Sequence, residues 1–285
     1  MTKKYNYIIG DIHGCFYEFL ELEEKIKEHA KANSVDYFII SCGDLIDRGF
    51  YSKEVLEHFL EGKNKGTHTT ILGNHEVMML QTIEAFTTKE KLKKELKNFL
   101  ETSFLETIEQ LFDRQSKYFS HLNISTYIQS MKDTWLEAGG LETIKSFGLT
   151  EKDFDNYNFE ENIIKFLIDS PIFYEDKDFI VTHGISKSKN IHTVLSNKKD
   201  NIEELRKAIE SVMWGRTPPK EKIHEKLHIS GHRVVRQVNN LEIENAFQID
   251  TGCAYGNFLT CYCVEDNSFL QVKAKKAYKY NKVFT

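Results

Sequence analysis

At 285 residues, with 40% apolar and 12% aromatic side chains, the chain is long enough to bury a sizeable core. A net charge of −5 leaves no basic surplus for a nucleic-acid backbone, so nucleic acid is not an expected partner. No run of roughly 18 apolar residues reads as a membrane span, and three prolines without a Ser/Gly-rich linker favour one domain over residues 1–285.

Met1-Thr2-Lys3-Lys4-Tyr5 leads straight into the apolar run Tyr7-Ile8-Ile9, leaving no room for a signal peptide, so a cytoplasmic location is expected. That run reads as a buried strand and ends at Gly10-Asp11-Ile12-His13-Gly14. Phe16 to Ala32 carries Phe16, Phe19, Leu20, Leu22 and Ile26 among acids and lysines, the pattern of an amphipathic helix. A second strand, Tyr37-Phe38-Ile39-Ile40, completes a βαβ unit and runs into Gly43-Asp44-Leu45-Ile46-Asp47-Arg48-Gly49. Two acids and an arginine within five residues do not suit a core unless they find partners or a metal. A helix over Ser52 to Glu61, then Gly62-Lys63-Asn64-Lys65-Gly66, leads to the third strand, Thr70-Ile71-Leu72, which ends at Gly73-Asn74-His75-Glu76. This alternation of strand and helix argues for a largely parallel sheet.

Beyond Glu76 strand patterns disappear until about Asn162. Residues 89–112 are dense in Lys, Glu, Leu and Phe at helical spacing, and residues 113–135 continue with more aromatics. We read a helical insertion over about 77–160, closed by Trp135-Leu136-Glu137-Ala138-Gly139-Gly140. It serves as scaffold, or alternatively as a cap that shapes substrate access. A helix is expected over Glu161 to Ser170 and a hairpin-like pair over Ile172 to His183, in which Phe179-Ile180-Val181 ends at Thr182-His183-Gly184. Ser196 to Trp214 reads as helix, and His228-Ile229-Ser230 ends at Gly231-His232-Arg233. The carboxy-terminal stretch is β: Leu241 to Asp250, Asn257 to Val264 and Ser268 to Ala274. The spacing of Cys261 and Cys263 matches neither a zinc nor a redox CxxC pair, so the five cysteines read as small buried thiols of a reducing compartment. Cys15, Cys42 and Cys253 lie beside motifs, where oxidation sensitivity is the alternative.

Five apolar strands therefore end in a glycine beside Asp, Asn or His. Open α/β sheets place their ligands at such strand ends, and oxygen and imidazole donors without thiolate suit manganese, iron or zinc. No GxxxxGK[ST] loop is present, which argues against a nucleotide-driven kinase or ATPase.

The series GDIHG, GDLIDRG, GNHE and two later histidines resembles the metal-dependent phosphoprotein phosphatases within the calcineurin-like metallophosphoesterases. The likeness is to their bacterial and phage branch, which also includes symmetrical diadenosine tetraphosphate hydrolases. The motifs run from Gly10 to about Gly256, and the separations of 33 residues (Asp11 to Asp44) and 30 (Asp44 to Asn74) resemble that family's spacing.

The resemblance implies a four-layer α/β sandwich, two packed mixed sheets flanked by helices, with the site at one end. It implies two divalent metal ions, manganese ahead of iron or zinc. Asp44 would bridge them, Asp11 and His13 completing the first site and Asn74, His183 and His232 the second. His75 would be the general acid that protonates the leaving oxygen, with Asp47 hydrogen-bonded to it and keeping it protonated. Arg48 would contact phosphate oxygens through two N–H groups. Arg216, in Trp214-Gly215-Arg216, would be the second arginine, and Tyr255, in a closing loop that starts at Ile249-Asp250-Thr251-Gly252, would touch the phosphate. Glu76 would brace its turn. Thr143 and Ser146-Phe147-Gly148 also fit the bacterial branch, while His29, His58, His68, His121, His192, His224 and His228 read as ordinary histidines.

The expected activity is that of a metal-dependent phosphomonoesterase. A serine/threonine protein phosphatase comes first, acting on phosphorylated protein, peptide or small phosphate esters by in-line attack of a metal-bridging hydroxide. A diadenosine tetraphosphate or nucleoside polyphosphate hydrolase on the same core is the alternative. An inactive binding module is disfavoured because none of the nine motif residues is missing.

Overall fold

In the computed structural model the described residues are 3–86, 132–150, 159–186, 202–217, 225–240 and 245–280. Most of the expected insertion (87–131 and 151–158) lies outside them, as do His121, His192 and His224.

β1 (Lys4–Ile9) and β2 (Asp36–Ser41) both pass from exposed at the amino end to buried at the carboxyl end, where the Gly-Asp motifs begin. They pair in parallel, and β2 pairs in parallel with β3 (His68–Thr70). The intervening helices, α1 (Phe16–Ala32) and α2 (Ser52–Lys65), make the right-sized crossovers for such pairing. α2 is longer than the sequence indicated: it runs through Gly62 and stops at Gly66, whose φ of 73° closes the helix in the left-handed conformation. Gly62 lies inside the helix and has to be glycine, because the His68 ring packs where a Cβ would lie, 2.2 Å from its Nδ1. α3 (Asn74–Phe86) starts at the third motif. Further on, a π-helical turn (Leu136–Gly140) leads into α4 (Leu141–Ser146), and α5 (Glu161–Ile168) follows.

The second half builds another sheet. β4 (Phe173–Glu175) and β5 (Phe179–Thr182) form the expected antiparallel pair. After α6 (Ile202–Trp214), β6 (Leu227–Ser230) adds to β5 in parallel. β7 (Asn239–Asn240) and β8 (Ala246–Gln248) extend this sheet, whose order is β4-β5-β6-β8-β7. Only part of the strand read over 241–250 is observed: it is confined to β8, and residues 241–244 lie outside the described set. β9 (Phe258–Cys263) and β10 (Ser268–Lys273) return to the first sheet, giving β10-β9-β1-β2-β3.

Alternation along the strands sorts the core into layers. On β1, Tyr7 and Ile9 join α1 and α2 residues such as Phe19, Leu22 and Phe59. Ile8, between them, points the other way and packs with Ile40 of β2 and with Phe179, Val181 and Ile229 of the second sheet. Ile180 of β5 turns outward against Val212 of α6. The order is therefore helix, sheet, sheet, helix: two mixed sheets face to face between helical layers. Strands buried on both faces account for the continuous apolar runs in the sequence.

Candidate metal centre

The parallel strands β1, β2, β5 and β6 all deliver their trailing loops to one edge. The first two loops are tied together, Ile12 and His13 N–H donating to the Asp44 carbonyl and Gly14 N–H to that of Leu45. The backbone there is forced into unusual conformations: His13, Asp44, Asp47, Arg48 and His232 all have φ between 48° and 72°. Left-handed φ outside glycine costs on the order of 1–3 kcal/mol per residue and concentrates at functional sites. Glu76 helps hold the strain, its buried carboxylate accepting N–H bonds from Gly73, Asp44, Leu45 and Ile46 at 2.8–3.3 Å. Gly73 is required by close approach, since a Cβ there would lie 2.2 Å from Asp44 Oδ1.

Asp44 sits at the middle of the cluster and is 1% exposed. Its Oδ2 is 3.4 Å from His13 Nε2 and its Oδ1 is 3.3 Å from His183 Nε2. Donor atoms of His13, Asp44 and His75 lie within 4.8 Å of one another, and so do those of Asp44, His183 and His232. Asp11 Oδ2 is 3.9 Å from His13 Nε2, and the Asp11 carboxylate accepts the His232 N–H at 3.1 Å. Asn74 Oδ1 is 2.9 Å from His183 Nε2. Six of the sequence candidates thus meet in one buried cluster drawn from both sheets.

The donor chemistry fits a divalent cation. His13 Nδ1 donates to the Ile46 carbonyl at 2.7 Å, and His183 Nδ1 donates to the Cys42 carbonyl at 2.8 Å. A carbonyl can only accept, so each neutral ring carries its lone pair on Nε2, facing the oxygens of Asp44, Asn74 or Asp11. At His183 this sets lone pair against lone pair in a dry site, which needs a positive charge between them, whereas at His13 the Arg48 guanidinium supplies one. The ionisation pattern agrees for His13 and His232, while Asp44 draws His183 towards the protonated form, a proton standing where a cation would. Burial opposes ionisation of Asp44, yet the imidazoles of His183, His75 and His13 hold its carboxyl well below the usual range. Burial also opposes charge on His183, but the Asp44 carboxylate raises that imidazole. Burial and then the Arg48 charge push His13 well down, and burial with the neighbouring His183 brings His232 to about 3, so both favour the neutral, ligating form.

Beside this cluster His75 Nδ1 donates to Asp47 Oδ2 at 2.6 Å. Arg48 spans two rings, one guanidinium nitrogen on His13 Nε2 and the other 2.9 Å from His75 Nε2, and its Cζ lies 5.1 Å from the centre of the Tyr255 ring. Arg216 is exposed, but its Nε donates to His232 Nε2 at 3.0 Å. Every residue named from sequence as a ligand, acid or phosphate contact is therefore in this neighbourhood.

Four residues that the sequence did not single out for the site also belong there. Trp135 and Thr143 donate to the Asp47 carboxylate, at 3.0 and 2.6 Å. Gly139 accepts the Arg48 N–H, and its φ of 127° lets the chain pass where a Cβ would lie 2.7 Å from Arg48 N. The signal was the Trp, Gly-Gly, Thr stretch, which had been read mainly as scaffold. Asp250 is the fourth: buried, accepting the Gly252 N–H at 3.0 Å, and, after burial itself, the largest influence raising the Asp11 carboxyl. Its signal was the Ile-Asp-Thr-Gly loop.

A two-sheet α/β sandwich with such a carboxylate-centred cluster at its strand ends is the architecture of a metal-dependent phosphoester hydrolase. The chain belongs to the calcineurin-like phosphoesterases, the family matching over residues 7–236. It is similar to the asymmetrical bis(5'-nucleosyl)-tetraphosphatase of Bacillus velezensis, 24% identical with 95% of this chain and 93% of that protein covered. It is likewise similar to the symmetrical bis(5'-nucleosyl)-tetraphosphatase of Photobacterium profundum, 24% identical over 92% of this chain and 95% of the relative. Among solved structures, a protein serine/threonine phosphatase of Saccharomyces cerevisiae shares the fold, with a TM-score of 0.54 at 14% identity, covering 99% of this chain and 82% of the other. No helix among the described residues is long and apolar enough to cross a membrane.

Proposed function

We propose that this chain hydrolyses dinucleoside tetraphosphates at a two-metal centre. The observation that carries the hydrolytic reading is Asp44 lying between His13 and His183, each ring fixed through Nδ1 with its Nε2 turned towards that carboxylate. The sequence put phosphorylated proteins ahead of dinucleotides. Relatives matched along nearly their whole length carry dinucleoside tetraphosphatase names, and this favours the alternative.

Asp44 would hold both ions, Asp11 and His13 one, and Asn74, His183 and His232 the other. Bound there, the ions lower the pKa of water towards about 7 and neutralise phosphoryl charge. Arg48 presents two N–H groups that now rest on imidazole nitrogens and would transfer to two phosphoryl oxygens. That transfer frees His75 Nε2, which would carry the proton delivered to the leaving oxygen while Asp47 fixes the ring through Nδ1. Arg216 approaches from the His232 side and would take a further oxygen. Two residues beyond Arg48, the surface around Phe50 suits the rest of the substrate. Phe50 is 44% exposed, Tyr278 packs edge-on to it at 5.3 Å, and Lys276 Nζ lies 4.3 Å above its ring. An aromatic face with an ammonium beside it can stack a base and accept polyphosphate charge.

The test is a substrate panel with the manganese-loaded protein: diadenosine tetraphosphate, a phosphothreonine peptide and p-nitrophenyl phosphate. We expect kcat/KM for the dinucleotide to exceed that for the peptide by about 100-fold, and Phe50→Ala to weaken only the dinucleotide reaction. The reverse ranking would establish the protein-phosphatase reading instead.

A further inference from the structure

A second cluster of metal-ligating side chains lies at the opposite end of β3 from Asn74. Glu23 comes from α1, His58 from α2, and His68 is the first residue of β3. One ligand atom from each lies within 4.8 Å of the other two. Glu23 Oε2 is 3.2 Å from His58 Nε2, and its Oε1 is 3.3 Å from His68 Nε2. Ligands held by a tetrahedral zinc at about 2.0–2.1 Å stand roughly 3.3 Å apart, so these separations match a zinc shell.

The tautomer of His68 points the same way. Thr67 Oγ1 donates to the Gly62 carbonyl, so it accepts from His68 Nδ1 at 2.9 Å. That puts the neutral ring's lone pair on Nε2, which is buried and makes no hydrogen bond despite its nearness to the Glu23 carboxylate. His68 is 3% exposed, so water does not satisfy this nitrogen. The arrangement repeats that of His183 against Asp44: an imidazole fixed through Nδ1, with Nε2 aimed at a carboxylate oxygen. A surrounding shell of Phe19, Phe59 and Tyr37 rings excludes water and fixes the imidazoles. Lys27 Nζ also contacts Glu23 Oε2, at 3.2 Å, but its side chain is 38% exposed and can withdraw into solvent.

We propose that Glu23, His58 and His68 form an accessory zinc site that pins α1 and α2 to the start of β3. Water supplies the fourth ligand on the side of the partly exposed His58. Two imidazoles and one carboxylate select a transition dication over calcium or magnesium, which prefer all-oxygen shells. The site shares no residue with the centre around Asp44, so the proposal stands apart from the substrate reading.

Zinc is titrated into chelator-stripped, desalted full-length protein and counted by mass spectrometry, in the natural chain, His58→Ala and Glu23→Gln. The natural chain is expected to bind one equivalent more than either variant and to show a zinc-dependent rise in Tm that both variants lose. Manganese-supported turnover of p-nitrophenyl phosphate should be unchanged in all three. Repeating the count in the Asp44→Asn background isolates the accessory ion: it should remain with His58 present and vanish with His58→Ala. Equal zinc content with and without His58, in both backgrounds, would overturn the site.

Discussion

His75 Nδ1 lies 2.6 Å from Asp47 Oδ2, and Asp47 itself is sealed from solvent. The same carboxylate accepts from the Trp135 indole and the Thr143 hydroxyl, 88 and 96 residues further along the chain. The dyad is thus locked from behind by the carboxy-terminal part of the expected insertion. A buried carboxylate with three donors is a firm support for an imidazole, because moving it would strand a charge.

Replacing His75 by Asn should leave metal content intact while kcat falls by about 10²–10⁴-fold, the usual contribution of a positioned acid. Steady-state kinetics alongside metal analysis checks both halves. Activity within threefold of the natural chain would remove His75 from the reaction.

Trp135→Phe keeps the ring but deletes the indole N–H on Asp47. Loss of a hydrogen bond to a buried charge is worth about 1.5–3 kcal/mol, so kcat should drop by roughly one to two orders of magnitude with little change in KM. A variant that altered KM alone would show that Trp135 serves substrate binding instead.

Asp44→Asn takes the shared carboxylate from between His13 and His183. Manganese should be lost from both positions together, as isothermal titration or elemental analysis would show. With His58→Ala added to remove the accessory site, retention of one full equivalent would contradict a bridging role.

The pH dependence of stability offers a separate check through Glu23. Burial works against its ionisation, but the His58 imidazole holds the carboxyl below its ordinary value, with Lys27 also in contact. A depressed carboxyl stabilises the fold above the unfolded pKa of about 4.3 and loses that contribution as pH falls. In metal-free protein the Tm of the natural chain should therefore exceed that of Glu23→Gln at neutral pH, with the gap closing below about pH 4. A gap that widened on acidification would reverse the sign.

All five cysteines are buried and unpaired, and burial pushes the Cys15 and Cys42 thiols well up. Since the thiolate is the reactive form, iodoacetamide should label none of them in the folded protein, and mild peroxide should leave activity unchanged. Activity lost in step with labelling of Cys15 or Cys42 would restore the oxidation reading of those motif-adjacent cysteines.

The strands, their order along the chain and the candidate residue at each strand end were legible in the sequence, because apolar alternation and Gly-Asp or Gly-Asn punctuation are local signals. Even the end of α2 shows the limit of such signals: Gly62 looked like a terminator, but the helix runs on to Lys65, and the glycine at 62 is there to admit the His68 ring, a tertiary neighbour. Only the tertiary structure brought His183 and His232 to Asp44, since that depends on two sheets packing through Ile8, Ile40, Val181 and Ile229. The grip of Trp135 and Thr143 on Asp47, and the meeting of Glu23 with His58 and His68, were likewise invisible beforehand. A residue's type and spacing limit what it can donate. Which lone pair or N–H it finally faces is set by chain segments far away in sequence, whose positions follow from packing the whole core.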